Sequence, residues 1–465
     1  MAVITSPTYD PQTTATNLAN TYIKAPQAVL DAQVARNKSD AAAMATLGTA
    51  LSTFQSAINA LTSGAGKTIS ARGATFSDTT IATGSAGALA AAGSYSFYVE
   101  QVATAGQVSF GIRNGLAPNN GKLNIELGDS SLVEIDLATA NTDNNGELTP
   151  KEIAAAINAS SNNNGKLTAS TITINGDTRL VLTSAKTGKA AGVENISLTG
   201  AVDADLSADL ASKTVLTAAN NAVVWSGPKL SGTRIEQASN TFTVIDDVSF
   251  TIAKAQGASD APLTLKVGAD SAATTANVQA FVNAYNNLYN AVGALTQAGN
   301  AASNVTPGVL NADSGVKALR DQLGTALRAA TGGLSLVGFG ITGNRDGTLS
   351  LDSARLTKAV AANPGALDTM FGSSSSLGLN DSGVLGKMNK LISSWTDTSK
   401  GAIAVRKQAS NKLQSQLADR QSAIEVQFNN AYRRYLTQFT TLQQLQSSMT
   451  NTSNLFTELF SSSKN

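Results

Sequence analysis

Residues 402–460 read AIAVRKQASNKLQSQLADRQSAIEVQFNNAYRRYLTQFTTLQQLQSSMTNTSNLFTELF, without glycine or proline, in a chain that carries 39 glycines elsewhere. Glycine and proline are the residues that interrupt helices, so the stretch predicts one long helix. Leu413, Leu417, Ile424, Phe428, Tyr435, Phe439, Leu442, Leu445 and Met449 follow one another mostly at intervals of three, four or seven, which places them on one face. Roughly 60 residues at about 1.5 Å each make a rod about 90 Å long, more than one globular core covers. A second helix has to lie beside it.

The other end of the chain offers one. Residues 28–63 contain no proline and only Gly48, and Met44, Leu47, Leu51, Phe54, Ile58 and Leu61 alternate steps of three and four, the pattern of a heptad seam. Toward the N-terminus the seam thins: Leu30 and Val34 fit, but Asn37 and Ala41 take the next inward positions and bury little. The outermost helical parts are therefore expected to be marginal in a monomer and to be ordered by self-association through this seam. Residues 1–27, with Pro7, Pro11 and Pro26, predict a flexible lead-in with a short helix at 15–23.

Between the two ends the pattern changes. Apolar residues alternate at Tyr95, Phe97 and Val99, at Ile125 and Leu127, at Val133, Ile135 and Leu137, and at Ile172 and Ile174, as in strands half-exposed to water. Thr149, Pro150 and Glu152 have the order of an N-cap, a first helical position and a capping-box acid for a helix reaching Ile157. Asn175-Gly176 marks a hairpin. Phe242, Val244, Val248, Phe250 and Ile252, followed by Leu263, Leu265 and Val267, predict strands that pair with the Tyr95 strand. Helical spacing returns at Val278, Phe281, Val282, Tyr285, Leu288, Val292 and Leu295, again over 316–328, and over 356–370 with a break near Pro364.

The expected fold class is α+β and multidomain, with long paired terminal helices forming a coiled-coil stalk, a helical domain and two β-rich inserted domains. The divisions expected are terminal flexible or helical leg segments at 1–40 and 430–465, and a helical stalk domain at 41–75 and 272–429. An inner β-rich domain is expected at 76–111 and 236–271, with an outer insertion at 112–235. A chain of 465 residues with 42% hydrophobic composition can bury several cores.

Composition removes whole classes of function. The chain has no cysteine and no histidine, so it has no disulfide, no thiol or imidazole catalysis and no ordinary zinc or copper site. Net charge is +1 from 33 basic and 32 acidic residues with no concentrated basic run, which argues against nucleic acid as a partner. No apolar run approaches the ~18 residues of a membrane span, and residues 1–12 lack the basic and then apolar regions of a cleaved signal peptide.

Four local patterns invite a chemical reading, and each has a plainer one. Gly66-Lys67-Thr68 resembles the end of a phosphate loop, but Leu61 stands where that motif needs glycine and a helix precedes it. Asn141, Asp143, Asn145, Gly146, Glu147, Thr149 and Glu152 fall at positions 1, 3, 5, 6, 7, 9 and 12 of a calcium loop. An Asn/Asp turn leading into a capped helix explains Gly146, Thr149 and Glu152 without any metal. Trp225 and Trp395 are expected to be buried packing residues rather than carbohydrate platforms. Arg433, Arg434 and Tyr435 are expected on a solvated face beside the seam. No catalytic residue, cofactor or metal site is assigned, and the chain is not expected to be an enzyme.

Several passages resemble the flagellar filament cap family, the second of the hook-associated proteins. The most specific is GFGITGNRDGTLSLDSARLTKAVAANPGALDTMF at 338–371, with a glycine-rich turn, Leu-x-Leu-Asp, a helix and Asn-Pro before Phe. FVNAYNNL from Phe281, GVLNADSGVKALRDQL from Gly308 and the tail from Tyr435 match in order, and 152–182 looks like a repeat of flagellar axial proteins. The start departs: TYIKAPQAVLDAQ stands where the family has a Leu-Met and a glutamate before its first heptads. The resemblance implies export as an unfolded chain with an export chaperone, without a cleaved signal, to the extracellular filament tip. It also implies a ring-shaped homo-oligomer, most often pentameric, that promotes insertion of flagellin. Alternatives are another axial protein, flagellin or a hook–filament junction protein, or an adhesin that uses the outer domain.

Overall fold

In the computed structural model of the chain, the described residues are 10–62, 67–117, 121–143, 145–201, 203–328, 333–375, 378–379 and 382–462. They divide into two compact units, Met1–Ala65 with Thr275–Asn465, and Gly66–Thr274.

The first helix, α1 (Pro11–Thr62), is longer than the sequence predicts. Residues 1–9 of the expected lead-in lie outside the described residues, but 11–27 are helical rather than flexible. Asp10 starts the helix by accepting the Thr13 backbone N–H at 2.8 Å, with Pro11 at the first position where its missing N–H is harmless. Pro26 lies inside the helix and costs it one hydrogen bond, to the Tyr22 carbonyl. Packing offsets that cost: Ala15 and Ala19 are fully buried and Leu30 is 3% exposed. Small side chains at 15 and 19 carry no large apolar signal, which is why the pattern hides this part of the helix.

The β unit comprises β1 (Ala71–Phe76), β2 (Ala82–Ala86), β3 (Gly93–Gln101), β4 (Ala105–Gly111), β5 (Lys122–Leu127), β6 (Leu132–Asp136), α2 (Pro150–Ala159), β7 (Leu167–Ile174), β8 (Asp177–Thr187) and β9 (Val193–Thr199). It continues through α3 (Ala204–Leu210), β10 (Thr214–Thr217), β11 (Ala222–Ser226), β12 (Thr233–Gln237), β13 (Thr241–Ile245), β14 (Val248–Ile252) and β15 (Leu263–Asp270). One core lies between the sheets β1-β15-β3-β11-β12 and β13-β14-β2. Phe250 is its centre, 4.8 Å from Phe97, 5.2 Å from Phe242 and 5.5 Å from Phe76, ring to ring. The second core, which includes Ile125, Val133, Ile153, Ile157 and Leu180, draws on the sheets β10-β4-β8-β7 and β6-β5-β9 and on α2 and α3.

Strand pairing differs from the sequence reading in two places. Leu265 of β15 pairs with Tyr95 of β3, as the alternation implies, but the Phe242 to Ile252 hairpin pairs with β2 instead. The strands β11 and β12 belong to the inner sheet, although the sequence reading puts 112–235 in the outer insertion, and β4 pairs with β8 in the outer one. Val223 and Val224 are both buried on successive positions, so β11 is covered on both faces and shows no alternation to betray it.

The outer core shows how local chemistry builds the fold. Asn175 and Gly176 both take positive φ, 55° and 92°, closing the β7–β8 hairpin as a type I′ turn. The free edge of β7 is closed by side chains: Asn158 exchanges two 2.8 Å hydrogen bonds with the backbone of Ala169, and Asn163 pairs with Leu167 at 2.8 and 2.9 Å. These amides stand in for a neighbouring strand and blunt the edge against pairing with other chains.

Helix α2 begins with the expected capping box. The Glu152 carboxylate accepts from the backbone of Thr142 (3.1 Å), the backbone of Thr149 (3.0 Å) and the Thr149 hydroxyl (2.8 Å). Desolvation is the largest influence on this group and pushes its pKa up. The hydrogen bonds from Thr149 and Thr142 together outweigh it and hold the carboxyl below the usual glutamate range. A depressed folded pKa means stability present above the unfolded value of about 4.3 and lost as pH falls through the folded value. Glu152→Gln is expected to destabilise the outer core by about 0.5–2 kcal/mol at pH 7 and to flatten its acid dependence below about pH 4.3, seen in urea melts at both pH values. Equal melts of the two proteins at pH 7 would refute it.

The helical unit closes around α4 (Ser271–Thr296), α5 (Ser314–Arg328), the hairpin β16 (Ile341–Gly343) and β17 (Leu349–Leu351), α6 (Ser353–Ala362), α7 (Ala366–Phe371), α8 (Gly383–Thr396) and α9 (Ala402–Ser462). Phe281 of α4 meets Phe54 of α1 at 6.4 Å and Phe371 of α7 at 5.2 Å. Gln55 of α1 donates to Asn389 and Ser393 of α8. In the glycine-rich passage, Gly347 has φ +89° and a Cβ there would collide with the Tyr289 hydroxyl, so only glycine fits. Asn286 exchanges bonds of 2.7 and 2.9 Å with the Leu349 backbone, fixing the hairpin to α4.

Candidate functional site

The paired ends of the chain form the candidate site. The helices α1 and α9 run antiparallel: Gln27 bonds Gln421 at 3.0 Å, Gln33 accepts from Arg420 at 2.9 Å, and the Ser410 hydroxyl donates to Asn37 at 2.9 Å. Arg434 lies over the Tyr22 ring at 5.9 Å. One apolar cluster of the contact is Leu30, Leu417 and Ile424 with Ile23 beside them. Ala431 is also buried at 3% exposure.

On α9 the inward row is Ile403, Ser410, Leu417, Ile424 and Ala431, one every seven residues. The sequence pattern finds Leu417 and Ile424 but not Ser410 or Ala431. Likewise it treats Asn37 as a weak spot, whereas that amide is the hydrogen-bonding partner of Ser410. A polar pair on a seam of this kind sets register at some cost in stability.

The expected seam residues separate into three groups. Leu47, Leu51, Phe54, Ile58 and Leu61 are buried, but Phe54 packs on Phe281 of α4, so this half of α1 serves the helical core as well as the seam. Phe428, Tyr435 and Phe439 are half-buried on α9, and Met44 is half-buried on α1, where it lines a groove with Ile403 and Arg406 of α9. Leu413 and Leu442, at 42% and 41% exposure, are not buried between α1 and α9 as the seam reading expects. The second contact row runs through Gln421, Phe428 and Tyr435, four residues beyond the buried row, and Leu413 falls on the opposite side of it. There it rims a groove of about 680 Å³ with Met44, Gly48, Val309, Leu310 and Ile403.

Each of the four local patterns has its own surroundings in the structure. Gly66 lies outside the described residues, and the Thr68 hydroxyl donates to the Ser70 carbonyl at 3.2 Å. In the calcium-like loop Asn144 is outside the described residues, and Glu152, the twelfth position, is committed to the helix cap. Among the described residues no group of three or more Asp, Glu, His or Cys could hold a metal. Trp395 is 8% exposed under the Arg406 guanidinium. Trp225 is half-buried, its N–H donating to Glu100 at 2.6 Å, a bond that holds the Glu100 carboxyl below its usual range. Arg433 is exposed, and among the described residues no helix is long and apolar enough to cross a membrane.

Two ends of a chain paired through apolar and amide contacts, with a β unit inserted between them in sequence, are the arrangement expected of an axial structural protein. The family pattern described as "Flagellar hook-associated protein 2 N-terminus" matches residues 8–106, and that described as its C-terminus matches 219–451. The chain is 33% identical to the lateral flagellar hook-associated protein 2 of Vibrio parahaemolyticus over 80% of its length and 83% of that protein. It is 31% identical to the B-type flagellar hook-associated protein 2 of Pseudomonas aeruginosa over 86% and 85%. The crystal structure of the flagellar cap protein FliD domains D1-D2-D3 from Escherichia coli superposes with a TM-score of 0.57 at 26% identity, covering 79% of this chain and 99% of that one. The chain belongs to the flagellar hook-associated protein 2 family.

Proposed function

We propose that the chain caps the distal end of a flagellar filament as a ring of identical copies, five in the arrangement most often found for the family. The ring holds secreted flagellin near the growing end until each subunit inserts. No covalent bond is made or broken. The chain reaches the filament tip unfolded, without a cleaved signal peptide and with an export chaperone, and the lack of any cysteine suits such passage. The observation that carries the reading is the likeness to the flagellar cap structure over 79% of the chain, more than either compact unit contains. A seam that carries amide pairs among its apolar contacts supports it too, since many modest contacts can be exchanged as subunits are added. Deleting the gene is expected to release flagellin monomers into the medium in place of filaments, with filaments restored by the intact gene. Normal filaments with no flagellin in the medium would overturn the proposal.

A further inference from the structure

A cavity of about 660 Å³ opens in the helical unit between α4, α5 and the β16–β17 hairpin. Its floor is apolar and closely packed: Leu327, Ile341, Leu349, Met370 and Val384 line it, and each is 8% exposed or less. Tyr285 and Tyr289 form one wall, their rings stacked 5.6 Å apart. Burial, and after it the neighbouring Tyr289, pushes the Tyr285 hydroxyl up to about 12, so near neutral pH it stays an uncharged donor. The volume is that of a small-molecule site, and apolar walls with a few converging polar groups are what such sites are built from.

The charges on α5 indicate what the cavity holds. Arg320, Gly324 and Arg328 follow one another at intervals of four and share one face of the helix, which lines the cavity. Glycine at 324 leaves room for the Arg328 side chain to fold back: a Cβ there would stand 3.3 Å from Nη1 of Arg328. The Arg320 guanidinium stands 4.5 Å from the centre of the Tyr289 ring, and its buried Nε has no hydrogen-bond partner. Among the described residues neither guanidinium is ion-paired or hydrogen-bonded. Of the nearby acids, Asp346 is taken up by the Thr348 backbone and hydroxyl at 2.9 and 2.6 Å, and Asp321 is the one carboxylate among the lining residues. Two guanidinia against one carboxylate leave the wall one positive charge in excess. That balance suits a carboxylate, whereas a phosphate carries nearly two charges. We propose that the cavity binds a small amphipathic carboxylic acid, its carboxylate between Arg320 and Arg328 and its apolar body on the floor of Leu327 and Met370. Guanidinium and carboxylate form charge-assisted, directional hydrogen bonds, which fix the head while the floor takes the body. No residue of the site comes from α1 or α9, so the proposal stands or falls apart from the capping function.

Phenylbutyrate, a soluble acid with a compact apolar body, is titrated calorimetrically into the full-length protein at about pH 7, where its carboxyl is ionised. The uncharged phenylbutanamide is the control. One site per chain with a Kd below about 1 mM is expected, with the amide at least about tenfold weaker. Two variants test the placement of the head. Arg328→Gln removes the exposed cation without touching the floor. Gly324→Leu fills the space between the two guanidinia, in a helical backbone where only the movable end of Arg328 stands in the way. Both should melt as the parent does, and each should weaken phenylbutyrate binding at least about tenfold. Absence of heat from the unmodified protein at about 10 mM phenylbutyrate, ten times the expected limit, overturns the proposal. Equal affinity for acid and amide overturns it as well, because the cavity would then be an apolar hollow with no use for its cations. Unchanged affinity in either folded variant places the acid elsewhere on the protein and overturns it too.

Discussion

Phe281→Ala is expected to lower the stability of the helical unit by about 3–5 kcal/mol, read as an earlier loss of helical signal in denaturant. Phe281 is fully buried, with its ring 5.2 Å from Phe371 at 85° and 6.4 Å from Phe54. Those three rings come from α4, α7 and α1, segments far apart in the chain, so the cavity left by alanine has no single element that can move in to fill it. Phe281→Leu keeps most of the volume and should recover more than half of the loss. The cluster of Phe76, Phe97, Phe242 and Phe250 in the β unit is built without Phe281, so its own transition should not move. A helical transition unchanged by the alanine would mean that these rings are not the core of the unit.

Phe281 is legible in the sequence because it belongs to a run of large apolar residues with helical spacing. The same holds for Phe54, Leu417 and the capping box at Thr149, where side-chain size or hydrogen-bonding chemistry announces the structure locally. What the sequence hid has a common physical cause. Ala15, Ala19 and Ala431 are buried because helices approach closely there, and an alanine looks the same in a seam as on a surface. Val223 and Val224 lie in a strand covered on both faces, so they lack the alternation by which strands are recognised. Asn37 looks like a defect in a heptad until Ser410 is opposite it. Leu413 looks like part of the seam because spacing alone cannot say on which side of a stripe the partner sits.

Leu417→Asp is expected to part the terminal helices while leaving the helical core folded. Leu417 is 4% exposed and packs with Leu30 and Ile424. Alanine there would cost about 2–5 kcal/mol at full burial, and an unpaired carboxylate adds the desolvation of a charge. Leu417 sits in an apolar cluster that, with amide pairs at Gln27 and Asn37, joins the middle of α1 to α9, so one substitution disrupts that stretch of the contact. Hydrogen exchange should speed up by orders of magnitude around residues 19–34 and 417–428, while the amides around Phe281 keep their protection. In cells the variant should secrete flagellin into the medium much as the deletion does, although the protein itself remains folded. If exchange accelerates through Phe281 as well, the terminal pair is part of one cooperative core. If exchange accelerates only at the ends and filaments still grow normally, the seam is not what cap assembly depends on. The proposed function requires the remaining result, in which the ends come apart, the core stays intact and filament growth stops.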